Sequence, residues 1–169
     1  MDIIKLLENR YSVRDYAPTP IKDEDLDKIL LSARLAPSAK NLEPHKIIVV
    51  KSKEALEKLR AAAKAAFNAP VVLVVCVDYK EAWERRDGWN SAETDAAIVC
   101  DHMMITAASL SLGSVWACAF DKEAVAKAIG LEENLTPLSL LPIGYPSENA
   151  EPSERHALRK ALKDTVKFI

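Results

Sequence analysis

One long apolar segment restricts the possible folds of this chain more than any other feature. The residues SAETDAAIVCDHMMITAASLSLG predict a single helix, with Ser91 near its N-cap and Gly113 just past its end. Residues 96–108 are apolar nearly all round this helix, and its polar exceptions are Asp101, His102 and Thr106. Because a helix without a broad polar face must be buried, we expect it in the middle of the domain or against a second copy of the chain.

Two strands and several shorter helices are predicted around the long helix. The run from Lys46 to Lys51 has the β-branched residues of a strand, and Val71 to Val77 is continuously apolar, as in a strand covered on both faces. A helix that starts at Ser52 and runs to about Phe67 separates them, which indicates a layered structure of helices and strands. Further helices are predicted at residues 3–7, 23–33 and 121–130, and further strands at residues 115–120 and 139–143. The tail after residue 144 is charged and contains prolines, so we expect an irregular arm.

Length and charge limit the organisation and the partners of the chain. Its 169 residues suffice for one domain, residues 1–169, with a sizeable core, and a net charge of -2 gives no general attraction to nucleic acid or anionic lipid. Glu93, Asp95 and Asp101 argue against a membrane span, and the N-terminus MDIIKLLENR lacks the apolar run of a secretory signal. The three cysteines form no CxxC pair. We therefore expect a cytoplasmic protein with no nucleic-acid or membrane partner.

Several common site motifs are missing. The chain has four glycines, and none forms the GxGxxG of a dinucleotide fold or the GxxxxGK[ST] of a P-loop. The three histidines have no metal-ligand spacing, so no metal is expected, and no GxSxG motif marks a serine nucleophile. Any phosphate must therefore be held by side chains, and any cofactor is expected to be organic.

Two polar stretches remain as candidates for chemistry. In RYSVRDY, the residues Arg10, Ser12 and Arg14 alternate, so an extended backbone would direct all three the same way, toward a phosphate or another electron-rich ligand. The alternative is a solvated helix end with favourably placed cations. In APSAKNLEPH, the amide of Asn41 could bind the edge of a heteroaromatic ring, or could simply bond its own backbone in a turn.

In this order and spacing, the segments resemble a known family. RYSVRDYAPTPIKDEDLDKILLSARLAPSAKNLEPHKIIVV is similar to the opening of the nitroreductase family of FMN-dependent NAD(P)H oxidoreductases, whose members typically read R-R-S-x-R-x-[FY] and then A-P-S-[AS]-x-N-x-[QE]-P-[WH]. DAAIVCDHMMITAASLSLGSVWACAFD resembles the family's central helix and following strand, and LLPIGYPSE resembles its L-x-x-G-Y-P. The resemblance covers nearly the whole chain, which looks like a short single-domain member.

The resemblance implies a fold, an assembly and a cofactor site. The implied fold is α+β, with a mixed central β-sheet flanked by helices, in an intertwined homodimer that binds FMN at the subunit interface. By motif position, Arg10, Tyr11, Ser12 and Arg14 belong to the stretch that holds the FMN phosphate, the ribityl chain and the pyrimidine side of the ring. The same comparison assigns Asn41 to the isoalloxazine ring and Arg159 to the phosphate. The resemblance also implies that a loop of the partner subunit reaches the flavin. The residues of this loop are Pro37, Ser38 and Ala39.

One part of the implied site departs from the family pattern. Ala117, Cys118 and Ala119 match the segment whose backbone amides lie beside flavin N5, but many members have Glu-Gly or Gly-Ala here, so contacts of that glutamate cannot be transferred. Cys118 is read as a neutral packed thiol, with redox activity as the alternative. His102 is interpreted as a core or dimer-interface residue, with a pocket role as the alternative, and Trp89 is a candidate lid.

The resemblance implies a ping-pong mechanism. NADH or NADPH would give hydride to flavin N5, and a small acceptor of the nitroaromatic, quinone or enone type would then remove it. The sequence does not decide between the two donors or among the acceptors. The alternatives are a flavin-binding module without turnover and the specialised family activities, which are cleavage of the flavin and reductive dehalogenation of iodotyrosine.

Overall fold

A four-stranded sheet lies at the centre of the α+β fold, in the computed structural model, which describes residues 2–169. The strands are β1 (His45–Val50), β2 (Val71–Val77), β3 (Gly113–Ser114) and β4 (Thr136–Gly144), in the spatial order β1-β2-β4-β3. The three pairings between these strands are antiparallel. The expected α+β fold with a central sheet flanked by helices is confirmed, and its only parallel pairing within residues 2–169 is a single isolated bridge from Ser12 to Ser114.

Strand β2 is buried on both faces, as its sequence predicts. All seven of its side chains are buried, and they alternate between two clusters of core residues. One cluster joins Leu73 and Val75 to the helices α2 (Asp23–Arg34) and α4 (Ala92–Ser109). The other joins the opposite face of the sheet to α3 (Lys53–Ala62) and α5 (Lys122–Ile129). The sheet is therefore sandwiched between two layers of helices.

Helix α3 is shorter than predicted. It begins after Ser52, whose hydroxyl caps the Ala55 amide, but it ends at Ala62 instead of continuing to about Phe67. Ala63 is extended and a 3₁₀ turn follows, because the alanines of this segment pack into the core. Arg60 stabilises the non-helical backbone by donating to the carbonyl oxygens of Phe67 and Ala69, at 2.9 and 2.8 Å.

The strand predicted at residues 115–120 is largely absent. β3 covers Gly113–Ser114, and farther along only Ala117 pairs with β4, through two 2.9 Å hydrogen bonds with Leu140. The residue of β4 opposite Val115 is Pro142, which accepts a bond from the Val115 amide but has no N–H to return. The ladder is thus interrupted after two residues.

Helix α4 is covered on one face by the chain itself. Its buried residues recur at helical spacing: Ala92, Asp95, Ala96, Val99, Cys100, Met103 and Ala107. The opposite face is also apolar, yet Ala97, Met104, Ile105 and Ala108 there are only half-buried. Within residues 2–169, no helix has the length and hydropathy needed to span a bilayer.

The chain begins and ends with exposed segments. Helix α1 (Ile3–Asn9) is capped by the Asp2 carboxylate and buries none of its residues. The tail contains one 3₁₀ turn at Glu154–Ala157 and the short α6 (Leu162–Thr165), and it is otherwise irregular, as predicted. Several of its apolar side chains are exposed: Leu158, Leu162, Val166, Phe168 and Ile169.

Candidate active site

The RYSVR segment is held extended along the edge of the sheet. The Val13 amide donates to the Ser114 carbonyl oxygen at 3.0 Å, and the Val13 side chain is buried. Gly113 permits this close packing, because a Cβ there would lie 2.6 Å from Val13 Cγ2. The Tyr16 hydroxyl, 2.7 Å from the Val13 carbonyl oxygen, anchors the far end of the segment, and burial raises the pKa of Tyr16.

The alternation predicted for this segment brings its polar residues together. Since Val13 occupies the buried side, Arg10, Ser12 and Arg14 all line a single cavity of about 190 Å³. The distant Arg159 lines the same cavity, as the resemblance implies. The remaining lining residues come from the tail: Ser153, Arg155 and His156.

This arginine cavity has the chemistry of an anion site. It is lined by four arginines and by no carboxylate, and none of the four forms an ion pair within residues 2–169. Guanidinium groups match the oxygens of a phosphate, and the Ser12 hydroxyl can donate a further hydrogen bond. The donor set therefore fits the phosphate end of FMN without a glycine-rich loop.

Contacts across the whole length of the chain bring the tail to the cavity. The Tyr11 hydroxyl donates to the Ala150 carbonyl oxygen at 2.9 Å, and His156 Nε2 lies 3.1 Å from the Glu8 carbonyl oxygen. Tyr11 thus lies outside the arginine cavity and holds the tail in place. Sequence reasoning missed Arg155 and His156. The segment SERHALR offered one indication of a second tail arginine near the site, because Arg155 precedes Arg159 by four residues.

The loop with the other implied flavin contacts is anchored to α4. The Ala39 amide donates to Asp95 Oδ1 at 2.9 Å, and the Ser91 hydroxyl donates to Asp95 Oδ2 at 2.8 Å. The Asp95 side chain is buried, so these bonds satisfy a carboxylate that water does not reach. In the sequence, Asp95 is recognisable only as a charge that argues against a membrane span, because its anchoring role depends on contacts with Ala39 and Ser91.

The conformation of this loop is unusual. Lys40, Asn41 and Glu43 all have positive φ, of 51°, 55° and 50°, and the Ser38 hydroxyl accepts a hydrogen bond from the Glu43 amide at 3.0 Å. The Asn41 side chain is exposed, and its amide is 3.4 Å from a Glu43 carboxylate oxygen. This loop, from Pro37 to Glu43, does not line the arginine cavity of its own chain.

The third implied part of the site borders a different cavity. Cys118 and Ala119 are exposed, and Cys118 lines a space of about 290 Å³ together with Trp116 and residues at the start of α4. The packing expected for Cys118 is therefore not seen within the chain. By contrast, Cys100 is fully buried, and burial raises the pKa of its thiol to about 12.

His102 and Trp89 also have defined positions. His102 is half-buried on α4, and its Nδ1 lies 2.9 Å from the Ile98 carbonyl oxygen. Trp89 is 41% exposed and packs edge-to-face against Trp83, with ring centroids 6.1 Å apart.

Comparisons with known proteins agree with this geometry. The sequence model of the nitroreductase family matches residues 7–68 and 62–145. A protein of Archaeoglobus fulgidus with the provisional name NADH dehydrogenase/NAD(P)H nitroreductase is 34% identical over 157 residues, which are 89% of this chain and 88% of that protein. The FMN reductase [NAD(P)H] of Bacillus subtilis is 29% identical over 173 residues, covering 91% of this chain and 70% of that protein.

A solved structure gives the same result for the fold. The crystal structure of a nitroreductase family protein from Clostridium difficile superposes with a TM-score of 0.92 at 38% identity, over 99% of this chain and 98% of the other. Family model, sequence relatives and fold thus agree over most of the chain. The chain belongs to the nitroreductase family of oxidoreductases.

Proposed function

We propose that this chain binds FMN and transfers hydride from NAD(P)H to a small nitroaromatic, quinone or enone acceptor by a ping-pong mechanism. Membership of a family whose relatives include NAD(P)H nitroreductases and an FMN reductase supports the donor and the cofactor. The observation that carries the proposal is the arginine cavity, which is lined by four arginines and by no carboxylate. In this proposal residues 1–169 act as one FMN-binding domain in the cytoplasm.

The arginine cavity would receive the phosphate end of the cofactor. Arg10, Arg159 and the Ser12 hydroxyl are assigned to the phosphate and ribityl oxygens, because charge-assisted hydrogen bonds to phosphate are the strongest that these groups can make. Arg14 is assigned to the electron-rich edge of the ring, where a fixed cation stabilises negative charge. Tyr11 contributes indirectly, since it holds the tail that carries Arg159.

The ring would be held by the loop Pro37–Asn41 and by the segment Ala117–Ala119. Pro37, Ser38, Ala39 and Asn41 do not line the arginine cavity of their own chain. A homodimer in which they reach the partner's cavity would complete the site. The half-buried apolar face of α4 supports such an assembly, because a second copy would cover it.

In this arrangement the cofactor and the protein would have different roles in the reaction. Bound FMN would supply N5, the atom that accepts and returns hydride. The side chains named here bind and orient the cofactor, and none of them has to act as a proton donor or acceptor. The backbone amides of Cys118 and Ala119 are the polar groups assigned to the N5 side, because the Ala117 amide already donates to the Leu140 carbonyl oxygen. The change to Cys118-Ala119 keeps both of these amides.

An anaerobic titration tests the proposal. Purified protein should be yellow, and addition of NADH or NADPH without oxygen should bleach the flavin band, which a quinone or nitroaromatic should then restore. The donor that bleaches faster is the preferred one. A flavin-loaded protein that neither donor bleaches would contradict the proposed activity and would favour a binding module.

A further inference from the structure

Residues 83–91 form a tight hairpin that presents two tryptophans. The Arg85 amide donates to the Trp89 carbonyl oxygen at 2.8 Å, and the Ser91 amide donates to the Trp83 carbonyl oxygen at 2.9 Å. Asp87 closes the turn with two bonds from the Arg85 guanidinium, at 2.9 and 2.8 Å. The hairpin therefore holds the edge-to-face pair of Trp83 and Trp89 in a defined position.

A cation from the adjacent loop lies over Trp83, one ring of this aromatic pair. The Lys40 ammonium is 5.6 Å from the centroid of the Trp83 ring, within range of a cation–π contact. Arg85 lies 5.2 Å from the Trp89 centroid, but its charge is balanced by Asp87. Lys40 is exposed, and no carboxylate within residues 2–169 comes within ion-pair distance of it. Its charge is available to a ligand.

The buried Asp95 carboxylate ties the hairpin to the candidate flavin loop. It accepts from Ser91, at the base of the hairpin, and from the Ala39 amide, next to Lys40. Ala39 and Asn41, the neighbours of Lys40, are both proposed flavin contacts. The patch formed by Lys40, Trp83 and Trp89 thus lies beside the position proposed for the reacting ring.

We propose that this patch selects planar aromatic acceptors that carry a carboxylate. The indole rings offer a surface for an aromatic ring, and the Lys40 ammonium offers a partner for its negative charge. A neutral aromatic of the same shape would keep the first contact and lose the second. The inference rests on the proposed oxidoreductase function and adds the substrate class to it.

Lysine variants and a matched pair of acceptors test this specificity. We expect Lys40→Met to lower the ratio of kcat/KM for 4-nitrobenzoate to kcat/KM for 4-nitrobenzamide by about fivefold at low salt, as for an exposed ion pair near the upper end of the usual range. Lys46→Met is the control, because Lys46 is also exposed but pairs with Glu132 at 3.1 Å. The control should shift the ratio less than twofold. Added salt should lower the ratio in the wild type and not in Lys40→Met.

Direct binding separates this inference from the proposed activity. Benzoate and benzamide, which the enzyme would not reduce, are titrated into the flavin-loaded protein by calorimetry, and Lys40→Met should weaken benzoate about fivefold relative to benzamide. Equal benzoate affinity in wild type and variant, an equal loss in Lys46→Met, or a loss confined to the NAD(P)H half-reaction would overturn the inference. If NAD(P)H fails to reduce the flavin, the proposed function fails, and the benzoate titration still decides on the patch.

Discussion

At the scale of single residues, the spacing of RYSVR was enough to predict a shared direction for its polar side chains. Val13 fills the buried side of an extended segment, so Arg10, Ser12 and Arg14 line the same cavity. The position of Arg155 could not be predicted in this way. It depends on the Tyr11–Ala150 contact, which spans 139 residues. The four-residue spacing of Arg155 and Arg159 in SERHALR groups the two arginines but does not place them at the cavity.

Arg14 is the residue whose charge can be tested most directly. We expect Arg14→Glu to weaken FMN binding by roughly tenfold or more, because a hydrogen bond to a charged group contributes about 1.5–3 kcal/mol and the new carboxylate would repel the ligand. The measurement is the ratio of flavin to protein after gel filtration, with Arg86→Glu as the control at an exposed arginine of the hairpin. Unchanged flavin content in Arg14→Glu would contradict the assignment of this cavity to FMN.

At the scale of secondary structure, the errors of sequence reasoning have local physical causes. The third helix ends early because Ala63 and Ala66 pack into the core and Arg60 satisfies the carbonyl groups beyond it. The strand at residues 115–120 is interrupted opposite Pro142, which lacks an amide hydrogen. The spacing of apolar residues indicates which side chains are buried, but it indicates neither where a helix ends nor where a strand loses a hydrogen bond. It did predict β2 and the start of α4, but α4 ends at Ser109, and Gly113, which was expected just past the helix, lies in β3.

The link between the loop and α4 gives a prediction at the same scale. Asp95→Asn would retain one acceptor oxygen and lose the charge that receives bonds from both Ala39 and Ser91. We expect a loss of about 1–3 kcal/mol in the free energy of unfolding, the usual cost of leaving a buried polar group poorly paired. Hydrogen exchange should accelerate first at residues 38–43 and at the base of the hairpin.

An exposed carboxylate provides the control for this prediction. Glu93→Gln changes a neighbouring acid of α4 whose partner is the surface hydroxyl of Tyr79, at 2.9 Å. It should alter neither the stability nor the exchange of residues 38–43 appreciably. If Asp95→Asn leaves exchange in the loop unchanged, the Asp95 bonds do not position it.

At the scale of the whole molecule, the apolar circumference of α4 already indicated either deep burial or a second copy. The fold buries one face and leaves the other half-exposed. A dimer would explain two features together. A second copy would cover the half-exposed face of α4, and it would bring the candidate flavin loop of one chain to the arginine cavity of the other. The antiparallel order of the sheet, by contrast, could not be predicted, because buried strands of either orientation are continuously apolar.

Ile105 tests assembly and cofactor binding together. It is half-buried on the open face of α4 and does not belong to the core clusters, so Ile105→Glu should disturb an interface more than the fold. We expect the wild type to sediment at twice 18.6 kDa and the variant to shift toward the monomer. Flavin content should fall with the dimer fraction, since the loop would reach the cavity only across the interface. Leu31→Glu, at an apolar residue of α2 that is 50% exposed, should change neither property. A monomeric wild type that retains FMN would show that one chain completes the site alone.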